Sequence, residues 1–326
     1  MKKTSCAIII YNYESFQFLK ASIRQIRKHK HPDIEQRIII SEQSRYDYHY
    51  NEIVAEFGNN PDITIVPMKA LFSGYSIDYI LRYVHIDSEF VCTMDVDAFP
   101  ISNSWLSMPI TMMQEDGFAF VGGLAENNDG ERPIYPPNPF YCMSQFFNVG
   151  RYKDFMELSL KAGFTKFHQR ENLDMPMTFE NDDWAKWAAP DYINRGSDDA
   201  MVAHCWCDKH TEKNKLSLSI SHIIGSPSDG SSYGRILDDI VFHFGYSYTS
   251  IGVEDHMGNN YMSWRDRINE NFTDEMVQEL VNLAIQCPSQ IISRGVWDGK
   301  LKKASPPYWG LNNKIELLKN ENITSQ

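Results

Sequence analysis

No stretch of the sequence approaches the ~20 consecutive apolar residues that a membrane-spanning helix needs. The run Cys6–Ile10 behind Met1-Lys2-Lys3 is too short for the apolar core of a secretory signal and reads as a first strand. Positive charge is in deficit: 31 Lys and Arg stand against 43 Asp and Glu, a formal net charge of −12. That balance argues against a general nucleic-acid or membrane-surface binder, which needs a basic face. Cysteine is sparse. The six, at 6, 92, 142, 205, 207 and 287, form no even framework. They read as reduced, mostly buried thiols, so the expected compartment is the cytoplasm. Internal repeats and low-complexity segments are absent, and so is a Gly-rich loop with Arg or Lys after the first apolar run.

What the chain does contain is enough apolar material for a core, 42% of 326 residues, in one large or two small domains. Ala7–Tyr11 has the length of a strand, and Glu14–His29 carries Phe16, Leu19, Ile23 and Ile26 at helical spacing. A second strand is expected at Arg37–Ile40 and a helix at Tyr46–Phe57, stopped by Gly58-Asn59-Asn60-Pro61. A third strand follows at Asp62–Val66. A helix then opens at Ser73-Gly74 with Ile77, Ile80, Leu81 and Val84 inward, and a fourth strand at Glu89–Met94. This alternation implies a parallel sheet with right-handed crossovers, which binds ligands at the carboxyl ends of its strands. The polar clusters Tyr11–Glu14, Ser41-Glu42 and Asp95-Val96-Asp97 all fall at such ends.

Beyond residue 100 the pattern predicts helices over Asn103–Met113, Val149–Ala162 and Ser197–Lys209. Strands are predicted at Gly117–Val121, Leu216–Ile224 and Asp239–Phe244. Asn127–Pro139 reads as a loop long enough for an active-site flap. The expected organisation is a domain over 1–252, with a nucleotide-binding half (1–100) and an acceptor half (101–252), and a helical appendage over 253–326.

Asp95-Val96-Asp97 is the stretch around which the rest is arranged. Side chains at i and i+2 of a strand point the same way, so these two carboxylates converge and repel unless a cation lies between them. Oxygen ligands suit Mg²⁺ or Mn²⁺.

Taken together, Ile8–Glu14, Gly74-Tyr75-Ser76-Ile77-Asp78, Phe90–Pro100 with Trp105-Leu106 following, and His243 within Val241–Ser247 resemble the GT-A glycosyltransferases, family 2-like enzymes above all. The resemblance spans roughly 4–250. It implies a GT-A, Rossmann-like, mostly parallel sheet flanked by helices. It also implies transfer of a sugar, with inversion, from a nucleotide-diphosphate donor, a UDP-sugar, to a hydroxyl of a glycan or other acceptor. Asp97 and His243 would ligate Mn²⁺ or Mg²⁺, with Asp95 on the metal or the ribose. Tyr11, Asn12 and Glu14 would line the nucleotide pocket. Glu42, where the family usually carries Asp, would accept from uracil or ribose. Gly74 would let backbone approach the nucleotide, and Asp78 would lie near the sugar. Asp198 or Asp199, at a helix start, would supply the general base.

Plainer readings remain open. Asp198-Asp199 could be helix-start charges, His243 a core histidine, and Asn12 the cap of the first helix. His204-Cys205-Trp206-Cys207 with His210 is no zinc site on a helix, since 204, 205 and 207 share no face. A sugar nucleotidyltransferase and a non-catalytic nucleotide-sugar binder of the same fold are the competing classes.

Overall fold

A computed structural model of the chain describes residues 3–13, 15–44, 47–68, 73–115, 119–123, 147–165, 177–178, 217–218, 220–226, 231–237 and 240–243. The fold is the expected α/β arrangement. It begins β1 (Thr4–Asn12), α1 (Phe16–Lys28), β2 (Ile34–Glu42), α2 (Asp47–Phe57), β3 (Ile63–Pro67), α3 (Ser73–Tyr83) and β4 (Phe90–Asp95). Next come β5 (Ala98–Pro100), α4 (Ser107–Glu115), β6 (Phe120–Gly123), β7 (Phe147–Arg151) and α5 (Tyr152–Lys161). Four short strands close the described chain: β8 (Ser217–Leu218), β9 (Ile220–Ser226), β10 (Ser231–Leu237) and β11 (Val241–His243).

The main sheet runs β3-β2-β1-β4-β7-β6-β8, parallel except for β7, which is antiparallel to both its neighbours. Strand β1 is apolar without alternation because both of its faces are covered, as in parallel sheets generally. Cys6, Ile8 and Ile10 pack with Leu19, Ile23 and Ile26 of α1 and Ile53 and Phe57 of α2. Ala7, Ile9 and Tyr11 pack on the other side with Tyr75, Ile77 and Ile80 of α3 and Phe155 and Leu158 of α5. The chain winds outward from β1 to β2 and β3, then crosses back to β4 on the far side of β1. The crevice at the carboxyl ends of β1 and β4 is therefore the switch point where such sheets take ligands.

Two of the expected thiols, Cys6 and Cys92, are buried and free, and burial pushes both thiol pKa values up. Among the described residues no helix is long and apolar enough to cross a membrane.

Three expectations change. Val149–Ala162 is not one helix: Phe147–Arg151 is a strand wedged between β4 and β6, and the helix begins at Tyr152. Gly150 shows why that strand fits, since a Cβ there would come within 2.5 Å of the Phe120 ring and 2.7 Å of the Phe155 ring. Ser231–Leu237, unassigned from sequence, is a strand that pairs with β9 and β11. The third change concerns Asp95 and Asp97. They do not share a strand. Asp95 ends β4, Val96 and Asp97 form a turn, and β5 enters a second, antiparallel sheet ordered β5-β11-β10-β9. The predicted loop, the helix at 197–209 and the appendage at 253–326 lie outside the described residues.

Candidate nucleotide and metal site

The acid turn is held from both sides. Met94, Val96 and Ala98 are all buried in one apolar cluster, so the core fixes every second residue through the turn. After it, Ser22 of α1 donates to the Ala98 carbonyl at 3.2 Å. Phe99 stacks between Phe18 and Phe242, with ring centroids 6.5 and 6.2 Å away. Asp95 is half-buried and Asp97 is 0% exposed. A carboxylate is tolerated at that depth only with compensating charge or hydrogen bonds.

Register brings the remaining expected residues to the same end. Tyr11 is in line with Asp95 across β1 and β4, and Asn12 with Glu42 across β1 and β2. On the second sheet His243 is in line with Ala98, the neighbour of Asp97. Positions 243 and 97 are some 146 residues apart in sequence, and a three-residue ladder makes them neighbours.

Asn12 does not cap the first helix. Its Nδ2 donates to Glu42 Oε2 at 2.5 Å, while Ser15 stands at the cap position. A carboxylate only accepts, so the amide NH₂ is the end that faces it. The other carboxylate oxygen, Glu42 Oε1, takes the Ser44 amide at 2.9 Å. These two donors offset the cost of burying Glu42, which is 2% exposed, and fix its direction at the end of β2.

Gly74 and Asp78 lie in the first turns of α3 and engage the chain itself. A Cβ on Gly74 would come within 2.2 Å of the Phe164 carbonyl oxygen, so only glycine lets α3 approach the 164–165 backbone this closely. The Asp78 carboxylate is fully buried. It accepts from Ser159 Oγ at 2.6 Å, from the Phe164 amide at 2.9 Å, and from the Thr165 amide and hydroxyl at 2.8 and 2.7 Å. Burial pushes its pKa up, while Ser159, Thr165 and Arg82 hold it back. Helix α5 rises from the amino end of the sheet, so Thr165 stands at the carboxyl rim, beside the first turn of α3. These two residues thus hold the 164–165 backbone against α3, on the face of the sheet where Tyr11 packs.

No family model and no curated protein matches the chain. Solved structures do align with part of it. S. aureus TarS in complex with UDP-GlcNAc matches over 49% of this chain and 48% of its own, at 13% identity and a TM-score of 0.38. The mannosyltransferase PcManGT from Pyrobaculum calidifontis, in complex with GDP-Man and Mn²⁺, matches over 47% and 45%, at 13% identity and a TM-score of 0.37. An active-site mutant of LgtC matches over 46% and 59%, at 12% identity and a TM-score of 0.35. The aligned part is thus about half of this chain and about half of those.

Of the expected site residues, Tyr11, Asn12, Glu42, Asp95 and Asp97 and the backbone of His243 converge on the carboxyl end. Glu14, Asp198 and Asp199 lie outside the described residues. Carboxylate oxygens such as those of Asp95 and Asp97 are donors that suit Mn²⁺ or Mg²⁺. Among the described residues no three His, Cys, Asp or Glu side chains gather as a metal cluster. The Asn12–Glu42 pair and the attachment of Asp78 to Thr165 were missed in the sequence reading. Neither leaves a local pattern, because the partners are 30 and 87 residues apart.

Proposed function

We propose that the protein is a metal-dependent glycosyltransferase that moves a sugar from a UDP-sugar to an acceptor hydroxyl, with inversion. The observation that carries this is the convergence at one sheet end: Tyr11 paired with Asp95, Asn12 with Glu42, and position 243 with Ala98, the residue that follows Asp97. Tyr11, Asn12 and Glu14 line the nucleotide pocket. Glu42, aimed by Asn12 and Ser44, accepts from the uracil or ribose. Asp97 and His243 hold Mn²⁺ or Mg²⁺, with Asp95 on the metal or the ribose. When bound, that ion stabilises negative charge on the leaving diphosphate. Gly74 and Asp78 act from the donor side by fixing the 164–165 backbone, and Asp198 and Asp199 act on the acceptor.

Asp97→Ala and His243→Ala test the reading. Each is expected to stay folded and to lose Mn²⁺-dependent binding of UDP, read by calorimetry with and without the ion. Parental binding by His243→Ala removes the histidine from the site, and unfolding of both makes these groups structural. The non-catalytic alternative is separated by hydrolysis of the nucleotide sugar in Mn²⁺.

Glu42→Ala is expected to weaken UDP more than tenfold, since a charged acceptor contributes roughly 1.5–3 kcal/mol. It also strands the Asn12 amide and the Ser44 N–H, so the melting temperature falls as well. Equal affinity of the parent for UDP and ADP would rule out the base-recognition role.

A further inference from the structure

On the face of the sheet covered by α3, a buried amide has one end fixed and the other open. Tyr11 lies on that face, in register with Ser41 on one side and Asp95 on the other. Gln43 follows Ser41 by two residues, just past β2. Its backbone N–H donates to the Asn12 carbonyl at 2.9 Å, which ties it to the end of β1. Its side chain reaches α3, where Nε2 donates to Ser76 Oγ as well as to Ser41 Oγ, the latter at 3.2 Å. Ser41 donates its own proton to Met68 Sδ at 3.1 Å, so toward Gln43 it can only accept. The NH₂ end of the amide therefore faces the two serines, and Oε1 is the end left over. Gln43 is 3% exposed. No donor among the described residues reaches Oε1, yet the atom is not sealed from solvent as Asn12 Oδ1 is.

An acceptor held in this way selects for a ligand donor. An amide oxygen at so buried a position is costly while it stays unpaired, and an arriving N–H removes that cost. Glu42 fits the task less well. Asn12 and Ser44 already donate to its two oxygens. Strand alternation also sets Asn12 and Glu42 on the opposite face from Tyr11 and Ser41. Of the two pyrimidine bases, uracil offers an N–H at N3, where cytosine offers a bare acceptor nitrogen. An oxygen fixed from behind by two serines attracts the first and repels the second, and a site built around one hydrogen bond rejects the analogue that lacks it.

We propose that Gln43 reads the base of the donor nucleotide, its Oε1 accepting from uracil N3–H. This rests on the glycosyltransferase reading of the same site, and of the two tasks given to Glu42 it leaves the ribose. The test is calorimetry of the full chain in Mn²⁺ with UDP and CDP, for the parent, Gln43→Met and Gln43→Glu. The parent is expected to prefer UDP by about 10–100-fold. Gln43→Met, close in length but without the amide, is expected to bring the ratio to about one. Gln43→Glu keeps an acceptor and adds charge, so it is expected to raise the preference a further few-fold. The added charge repels both diphosphates alike, so the ratio isolates the base. A parental ratio in both variants overturns the assignment, even where the melting temperature falls, since the amide then only joins the two serines. If Gln43→Met fails to fold, Gln43→Glu decides alone, and an unchanged ratio overturns the assignment. A parent that binds UDP and CDP equally well overturns it too and leaves the glycosyltransferase reading standing. A parent that binds neither nucleotide defeats that reading and this assignment with it.

Discussion

Asp199→Asn is expected to lower sugar transfer by about 10²–10⁴-fold, the usual worth of a positioned general base, with Mn²⁺-dependent UDP binding unchanged. An inverting transfer requires an ionised acid within hydrogen-bond reach of the acceptor hydroxyl. The positive end of a helix favours the ionised form. Asp198-Asp199 follows Gly196-Ser197 at the expected start of a helix, and adjacent acids there point in different directions, so they can divide two tasks. An acid that caps the helix turns back to its free N–H groups, and an acid that serves as base turns outward. Asp198→Asn is accordingly expected to change stability or the KM for acceptor rather than kcat. Steady-state assays of both variants with the acceptor, beside UDP titrations, separate the two roles. Near-parental transfer by both would move the search for the base to Asp182, Asp183 or Asp191.

The first hundred residues were legible because their signals are local. A run of isoleucines bounded by polar residues marks β1 and β2, and the 3.6-residue spacing of Leu19, Ile23 and Ile26 marks α1. Carboxyl-end placement of Tyr11, Asn12, Glu42 and Asp95 then follows from element order alone. Strand β7 was not legible. Phe147–Arg151 runs straight into the amphipathic α5, and its apolar residues fit a helical face as well as a strand. The place between β4 and β6 decides for the strand, and that is a tertiary fact. The turn at Val96-Asp97 was hidden for a related reason. Its even positions stay buried, as in an uninterrupted strand, although the backbone has left the main sheet. Neighbours in register such as Ala98 and His243 exist only once β5 and β11 are paired.

Asp78→Ala is expected to destabilise the fold by about 3 kcal/mol or more, within the range for breaking a fully buried charged network. The carboxylate is the common acceptor for the Ser159 hydroxyl, the Phe164 and Thr165 amides and the Thr165 hydroxyl. Alanine leaves all four donors buried without it, and each stranded donor costs about 1–3 kcal/mol unless water enters. Removing a carboxylate that burial itself disfavours offsets part of this, so the net loss is smaller than the sum. Asp78→Asn keeps one acceptor oxygen and is expected to fall in between. The two side chains also differ with pH. Burial raises the Asp78 pKa in the folded chain above its unfolded value, so the folded state holds the proton more tightly. That contribution is fully present below the unfolded pKa and is lost as pH rises through the raised one. The advantage of the parent over Asp78→Asn is therefore expected to shrink as pH rises across that window. Urea unfolding of both proteins at a series of pH values reads it, and a gap that widens with pH would show a carboxylate held ionised by its four donors instead. Asp78 anchors Thr165 against α3, so under the proposed glycosyltransferase function a loosened anchor should also raise the KM for donor in Asp78→Asn at temperatures where that variant remains folded.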